Sequence, residues 1–439
     1  MNWLRSYIFH VLAGLLALLI AAAAAYTWLT WPNNAEGSAP ELNGISRNAS
    51  LIARGEYLAR AADCAACHTV RGGKPFAGGL AFTLPFGKLW SSNITADKET
   101  GIGQWSDDDF VRALHEGIRN DGQRLYPAFP YTSYTALSRS DALAIKAYLF
   151  SLPPVHQETP SPALSFPFNQ RWAMGFWNAV FFKSARFESD PKQSAQWNRG
   201  AYLATALGHC YECHTPRNLG FALDHGKELS GSPLEGWRAV NITPDARFGI
   251  GSWSDAEIVH YLIDGHADGR GSAAGPMGEA VENSLQYLDP DDAKAIVAYL
   301  RTVAPQQGKN PIDVDHRPAL AMASTRGMPA RMKSEGDGFA LFAGACASCH
   351  AWDGSGRQSD YASLVGSSSV NDPSGASVTQ VILKGVDMHI HGQAVFMPAF
   401  GNAYSDEEVA ALANYVIAQY GTKAGQVSAM TVARQRNPQ

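Results

Sequence analysis

Cys64-Ala65-Ala66-Cys67-His68 recurs as Cys210-Tyr211-Glu212-Cys213-His214 and again as Cys346-Ala347-Ser348-Cys349-His350. Two thiols separated by two residues can both add to the vinyl groups of one porphyrin, and the histidine that follows can turn under the ring to bind iron. This is the c-type haem attachment pattern. A lone C-x-x-C is also a zinc half-site or a redox dithiol. Here all six cysteines fall in the three motifs, each followed at once by histidine, and none is left for a disulfide or an iron–sulfur cluster. The motifs therefore predict three covalent haem c groups, held by Cys64, Cys67, Cys210, Cys213, Cys346 and Cys349, with His68, His214 and His350 on the irons. In bacteria such attachment takes place outside the cytoplasmic membrane, where unprotected thiols tend to oxidise.

The motifs lie 146 and 136 positions apart in 439 residues, a length that suits about three domains. We expect a mainly α chain of three tandem class I cytochrome c-like helical domains at 51–153, 191–304 and 336–421, after an amino-terminal transmembrane helix. Charged residues are 17% of the chain and the formal net charge is −5, with no basic stripe to recommend nucleic acid as a partner.

Residues 1–31 carry Arg5 and then run apolar from Tyr7 to Trp31, with His10 the only ionisable exception. That is enough to span a bilayer. The competing reading is a cleaved signal peptide, with the alanines at 21–25 as cleavage positions. The apolar run continues past them through Tyr26, Trp28, Leu29 and Trp31, an interfacial aromatic cluster, which favours a retained anchor with the haem domains exported. Residues 32–50 read as a flexible tether.

The first two domains are an internal repeat. Arg54-Gly55-Glu56-Tyr57-Leu58-Ala59 returns as Arg199-Gly200-Ala201-Tyr202-Leu203-Ala204, Asn93-Ile94-Thr95 as Asn241-Ile242-Thr243, and the stretch 101–107 as 249–255. Ser106 with Asp109 and Ser254 with Glu257 predict capped helix starts. Trp105 and Trp253, just before them, read as packing residues. An apolar helix over 51–62 leads into the first motif, and amphipathic helices over 140–152, 289–303 and 405–420 close the three domains, each with a core tyrosine (Tyr148, Tyr299, Tyr415). The aromatic linker 154–190 is too apolar to be free. Interdomain packing is its simplest reading, and a membrane-facing or partner-binding patch the alternative. Residues 305–335 read as an ordinary linker, and 422–439 as a polar tail without an assigned task.

A fast electron carrier needs a second axial ligand, usually methionine. Met277, 63 residues after His214, and Met397, 47 after His350, stand on proline-flanked stretches expected to be loops before the closing helices. The first domain has Phe129 at the matching place, 61 residues after His68, and phenylalanine cannot bind iron. The first haem is thus expected to be five-coordinate or to take His115, Tyr126 or, at greater distance, Met174, with a lowered potential. His209, His389 and His391 read as polar surface or propionate contacts.

The three C-x-x-C-H motifs, the paired Asn-Ile-Thr and Gly-Ile-Gly-x-Trp-Ser-Asp segments, the 126–131 stretch YPAFPY, Gly275-Pro276-Met277, the 396–400 stretch FMPAF and the aromatic linker together resemble a known family. It is the tri-haem cytochrome c subunit of membrane-bound periplasmic dehydrogenases of acetic acid bacteria and related proteobacteria, and the likeness covers roughly residues 51–420. The resemblance implies an electron-transfer subunit in the bacterial inner membrane, its haem domains in the periplasm. It would pass electrons from a separate catalytic subunit, alongside which a small subunit is a further candidate partner, to ubiquinone. It also implies Met277 and Met397 as axial ligands. Phe129 is similar to the subunits that accompany molybdopterin enzymes acting on aldehydes or N-heterocycles, whereas many members with PQQ or FAD partners have methionine there. The rivals are a free-standing membrane cytochrome feeding a terminal oxidase or peroxidase, and a gas sensor built on an open first haem.

Overall fold

The computed structural model describes residues 49–308, 311–312 and 336–436, with His10 and Gly14. The expected anchor and tether, and most of the linker 305–335, lie outside the described residues. Among the described residues no helix is long and apolar enough to cross a membrane.

The chain is mostly helical, 43% helix, and its helices recur in one order around each motif. An opening helix (Ala49–Ala61, Ala195–Tyr202 continued as a π-turn Leu203–Leu207, Gly336–Ala345) runs into a one-turn helix carrying the motif (Cys64–His68, Cys210–His214, Ala347–His350). A closing helix then crosses the opening one (Arg139–Ser151, Pro290–Leu300, Asp406–Tyr420).

Each crossing is made by a glycine. A Cβ on Gly55 would lie 1.9 Å from the Ala144 carbonyl oxygen, one on Gly200 1.8 Å from that of Ala295, and one on Gly338 2.4 Å from that of Ala411. The helix backbones touch at these points, so no side chain fits between them.

Capping sets where two intervening helices and the third closing helix begin. Ser106 with Asp109, Ser254 with Glu257 and Ser405 with Glu408 each close a reciprocal capping box, starting the helices Asp107–Glu116, Asp255–Asp264 and Asp406–Tyr420. Trp253 is buried in the core and Trp105 packs against it, while Tyr299 and Tyr415 are buried and Tyr148 half-buried, as expected.

One hydrophobic cluster runs through both repeats, from Leu58 and Leu149 to Leu207 and Leu300. The join is reciprocal. Arg54 pairs with Asp141 at 2.5 Å, and Tyr202 of the second repeat donates to the same carboxylate at 2.7 Å. Arg199 pairs with Asp292 at 2.6 Å, and Tyr57 of the first repeat donates to that carboxylate at 2.5 Å. The two repeats thus meet as two subunits of an isologous dimer do.

The third segment has its own core around Phe342, Leu412 and Ile417 and leans on the second through a hairpin, Val386–Ile390 with Gln393–Met397. Met388 and Ile390 of that hairpin are buried with Ala273 and Val281. The tail holds this arrangement: Ala429–Arg436 is a helix with Val432 buried, Arg436 pairs with Asp406 at 2.9 Å, and Gln435 donates to the Gly236 carbonyl.

Candidate haem-binding sites

The one-turn helix places the two cysteines of each motif three positions apart, on one face. In the first two motifs the residue before the first cysteine turns the chain: Asp63 (φ 52°) and His209 (φ 35°) are both left-handed. His209, expected as a polar surface or propionate contact, is half-buried. Its ring meets Tyr134 edge-on at 5.6 Å, and Tyr134 donates to the Ala62 carbonyl at 2.7 Å, so His209 lies in the seam between the first two motifs.

None of the six thiols is in a disulfide. Burial pushes those of Cys64, Cys67 and Cys210 up to about 12 and those of Cys213 and Cys346 up to about 11. A redox dithiol has the opposite signature, a depressed thiol in a cationic setting. Among the described residues no three His, Cys, Asp or Glu gather as a metal-ion site.

The histidines share one geometry. Nδ1 of His68 faces the Ser92 carbonyl at 2.7 Å, that of His214 the Val240 carbonyl at 2.7 Å, and that of His350 the Ala362 carbonyl at 2.6 Å. A carbonyl can only accept, so Nδ1 carries the proton and Nε2 keeps the lone pair that binds a metal. Burial lowers all three imidazoles below the ordinary histidine range, against the pull of the carbonyl, and they are neutral at pH 7. Thiols on one face beside a neutral imidazole of fixed tautomer are the donor set a c-type haem requires.

The carbonyls are functional groups that residue types alone did not reveal, yet the Asn-Ile-Thr repeat marks two of them. Ser92 and Val240 immediately precede Asn93 and Asn241. Asn93 accepts from the Thr95 amide and hydroxyl and donates to the Val155 carbonyl at 2.7 Å. Asn241 does the same with Thr243 and the Gln306 carbonyl, at 2.5 Å. Each buried asparagine pins the strand end that presents the carbonyl to the histidine.

The two methionines lie on regular elements, not on the expected loops. Met277 is in the first turn of the helix Gly275–Asn283, where Pro276 takes an early position that needs no amide donor, and it packs on the cluster shared with Met388 and Ile390. Met397 ends the hairpin strand opposite Val386. Phe129 packs on Tyr134 with ring centroids 5.5 Å apart. The Tyr126 hydroxyl donates to the Phe168 carbonyl at 2.9 Å, Met174 packs against Leu89, Tyr126 and Leu164, and His115 is buried in the last turn of Asp107–Glu116. His389 and His391 hold the hairpin to the second segment, His391 Nε2 lying 3.0 Å from Asp264 and the His389 amide donating to Glu282 at 2.8 Å.

Motif helix, oriented histidine and crossed opening and closing helices define a cytochrome c. Residues 52–153 match the family model for cytochrome c, and 333–416 that described as cytochrome c oxidase, cbb3-type, subunit III. The chain is 39% identical over 434 residues to the fructose dehydrogenase cytochrome subunit of Gluconobacter japonicus, covering 95% of this chain and 89% of that one. It is 37% identical over 407 residues to the gluconate 2-dehydrogenase cytochrome c subunit of Pantoea cypripedii, covering 89% and 90%. It is 40% identical over 407 residues to a nicotinate dehydrogenase subunit of Pseudomonas putida, covering 92% of this chain but 33% of that longer protein. The chain belongs to the family of cytochrome c subunits of dehydrogenase complexes. Membership implies covalent haem c and a catalytic dehydrogenase as partner.

Proposed function

We infer that this chain carries electrons from a catalytic dehydrogenase subunit, through three c-type haems, to ubiquinone. One haem belongs to each segment, 51–153, 191–304 and 336–421, with Met277 and Met397 as sixth ligands of the second and third. Residues 1–31 anchor the chain in the inner membrane and the haem segments face the periplasm. The reading is carried by the threefold recurrence of a C-x-x-C-H helix whose histidine is turned by a backbone carbonyl.

Bound haem supplies one-electron chemistry, which lets a two-electron oxidation on the partner be collected in single steps. This chain's own residues then have only to hold and orient. The thiols fix position, the carbonyls of Ser92, Val240 and Ala362 fix the imidazoles, and the apolar cores exclude water. No acid, base or nucleophile is asked of the chain.

The partner we favour is a molybdopterin enzyme acting on aldehydes or N-heterocycles. Phe129 supports it, as does the relative named for nicotinate, an N-heterocycle. A sugar or alcohol dehydrogenase partner is the second reading, favoured by the fructose and gluconate relatives. Purifying the native complex through this chain in mild detergent and assaying metal and haem separates them. Stoichiometric molybdenum with three haems per chain is expected. A large partner without molybdenum moves the assignment to the second reading, and fewer than three haems or no partner overturns the proposal.

A further inference from the structure

The linker 154–190 packs on its inner side and is bare on its outer side. Inward, Tyr126 donates to the Phe168 carbonyl at 2.9 Å, Tyr131 to Asn178 Oδ1 at 2.6 Å, and Trp177 to the Gly220 carbonyl at 2.7 Å. Phe86 at the tip of the first hairpin stacks on Phe168 at 4.2 Å and meets Phe221 edge-on at 5.5 Å. Outward stand Phe166, Trp172, Phe176, Val180, Leu219 and Phe221, with Phe166 79%, Val180 73% and Leu219 fully exposed. Linker, hairpin tip and the 219–221 loop thus form one continuous apolar surface.

Charge tells what covers it. Between Glu158 and Glu188 the chain has three cations, Arg171, Lys183 and Arg186, and no anion; Arg171 and Arg186 donate inward to the Arg124 and Thr135 carbonyls, which leaves Lys183 as the outward charge of the linker. Arg171 precedes and Lys183 follows the apolar helix Met174–Phe181, and Lys88 is exposed on the strand paired with Ala163. Protruding aromatics beside the exposed amines of Lys88 and Lys183 are the pattern of a segment lying in a lipid interface, rings among the acyl chains and amines at the headgroups. A protein partner would present side chains of both signs to a surface of mixed charge.

We propose that this surface lies on an anionic lipid bilayer, with the helix Met174–Phe181 parallel to it. The apolar run 7–31, read as the anchor, cannot choose the face by itself, because a tether of residues 32–50 reaches up to roughly 65 Å. The aromatic surface makes that choice. Because its inner side is bonded to Tyr126 and Tyr131, it brings the loop that contains Phe129 to the membrane, and through the 219–221 loop it brings the second segment there as well. The inference deepens the proposed delivery to ubiquinone and rests on that reading only for the direction of electron flow.

The test uses the full chain with a nitroxide on a cysteine introduced as Val180→Cys, Leu219→Cys or, as reference, Asp291→Cys, reconstituted in phosphatidylcholine–phosphatidylglycerol vesicles. Power saturation compares contact with oxygen and with a water-soluble nickel chelate. Labels at 180 and 219 should lose nickel contact severalfold and gain oxygen contact, while the label at 291 keeps its nickel contact. Nickel contact at 180 and 219 equal to that at 291 overturns the proposal, and so does protection that arises only when the catalytic subunit is added. Neither haem reduction nor quinone enters the readout, so its failure and that of the electron-transfer reading are distinguishable.

Discussion

At the scale of single residues, the cysteines and histidines proposed to hold haem are legible because that chemistry demands those residue types at that spacing. The carbonyls that turn the histidines are not, since any residue can supply a backbone oxygen. Their trace is Asn93 and Asn241, whose hydrogen bonds join a loop to the chain beyond each closing helix. Asn241→Ala leaves the Thr243 amide and hydroxyl and the Gln306 carbonyl without this partner inside the fold. We expect a loss of about 2–4 kcal/mol, read from the urea midpoint, together with a spectral change confined to the second haem. Phe129 is the other decisive residue. On the proposed ligation by Met277 and Met397, Phe129→Met supplies a thioether 61 residues after His68 and should give the first haem a low-spin histidine–methionine spectrum and a raised potential in a redox titration.

At the scale of elements, helix positions can be read from period and caps, but contacts between helices cannot. Gly55 lies nine positions before Cys64 and Gly200 ten before Cys210. The extra residue is absorbed as the π-turn Leu203–Leu207, which keeps both the glycine crossing and the motif in register. Since a Cβ on Gly200 would sit 1.8 Å from the Ala295 oxygen, Gly200→Ala must push the two helices apart. It should cost roughly 3 kcal/mol or more in a thermal unfolding measurement, although alanine is the better helix former. The hairpin Val386–Ile390 with Gln393–Met397 stands where a loop was expected, because Pro398 masks the strand that ends just before it. Its signal is nonetheless present: apolar alternation around His391-Gly392, whose φ values of 50° and 76° suit a two-residue hairpin turn.

At the scale of the whole molecule, the Arg-Gly-x-Tyr repeat is visible in the sequence, but its partners 235 positions away are not, since nothing local names them. The symmetric join they make is sensitive to acid. Burial works to raise the Asp292 carboxyl, but the hydrogen bonds from Arg199 and Tyr57 and the guanidinium charge outweigh it and hold it below the usual carboxylate range. A group depressed in the folded state stabilises above its unfolded pKa, about 3.9, and loses that contribution as pH falls through the folded value. The join should therefore hold at neutral pH and weaken below about pH 4. Tyr57→Phe removes one of the bonds to the carboxylate and should cost about 1–2 kcal/mol at pH 7, with an acid loss that is smaller and complete at a higher pH. Arg199→Met reverses the sign. Burial then dominates, the folded carboxyl rises above its unfolded value, and the charge becomes a liability at neutral pH of about 3 kcal/mol that protonation relieves. Urea midpoints at pH 7 and about pH 3 check this: wild type should be weaker at the acid value and the Arg199→Met variant should regain some of its deficit there. An equal deficit at both pH values would mean that Asp292 remains ionised without Arg199, and that Tyr57 alone holds the join's charge.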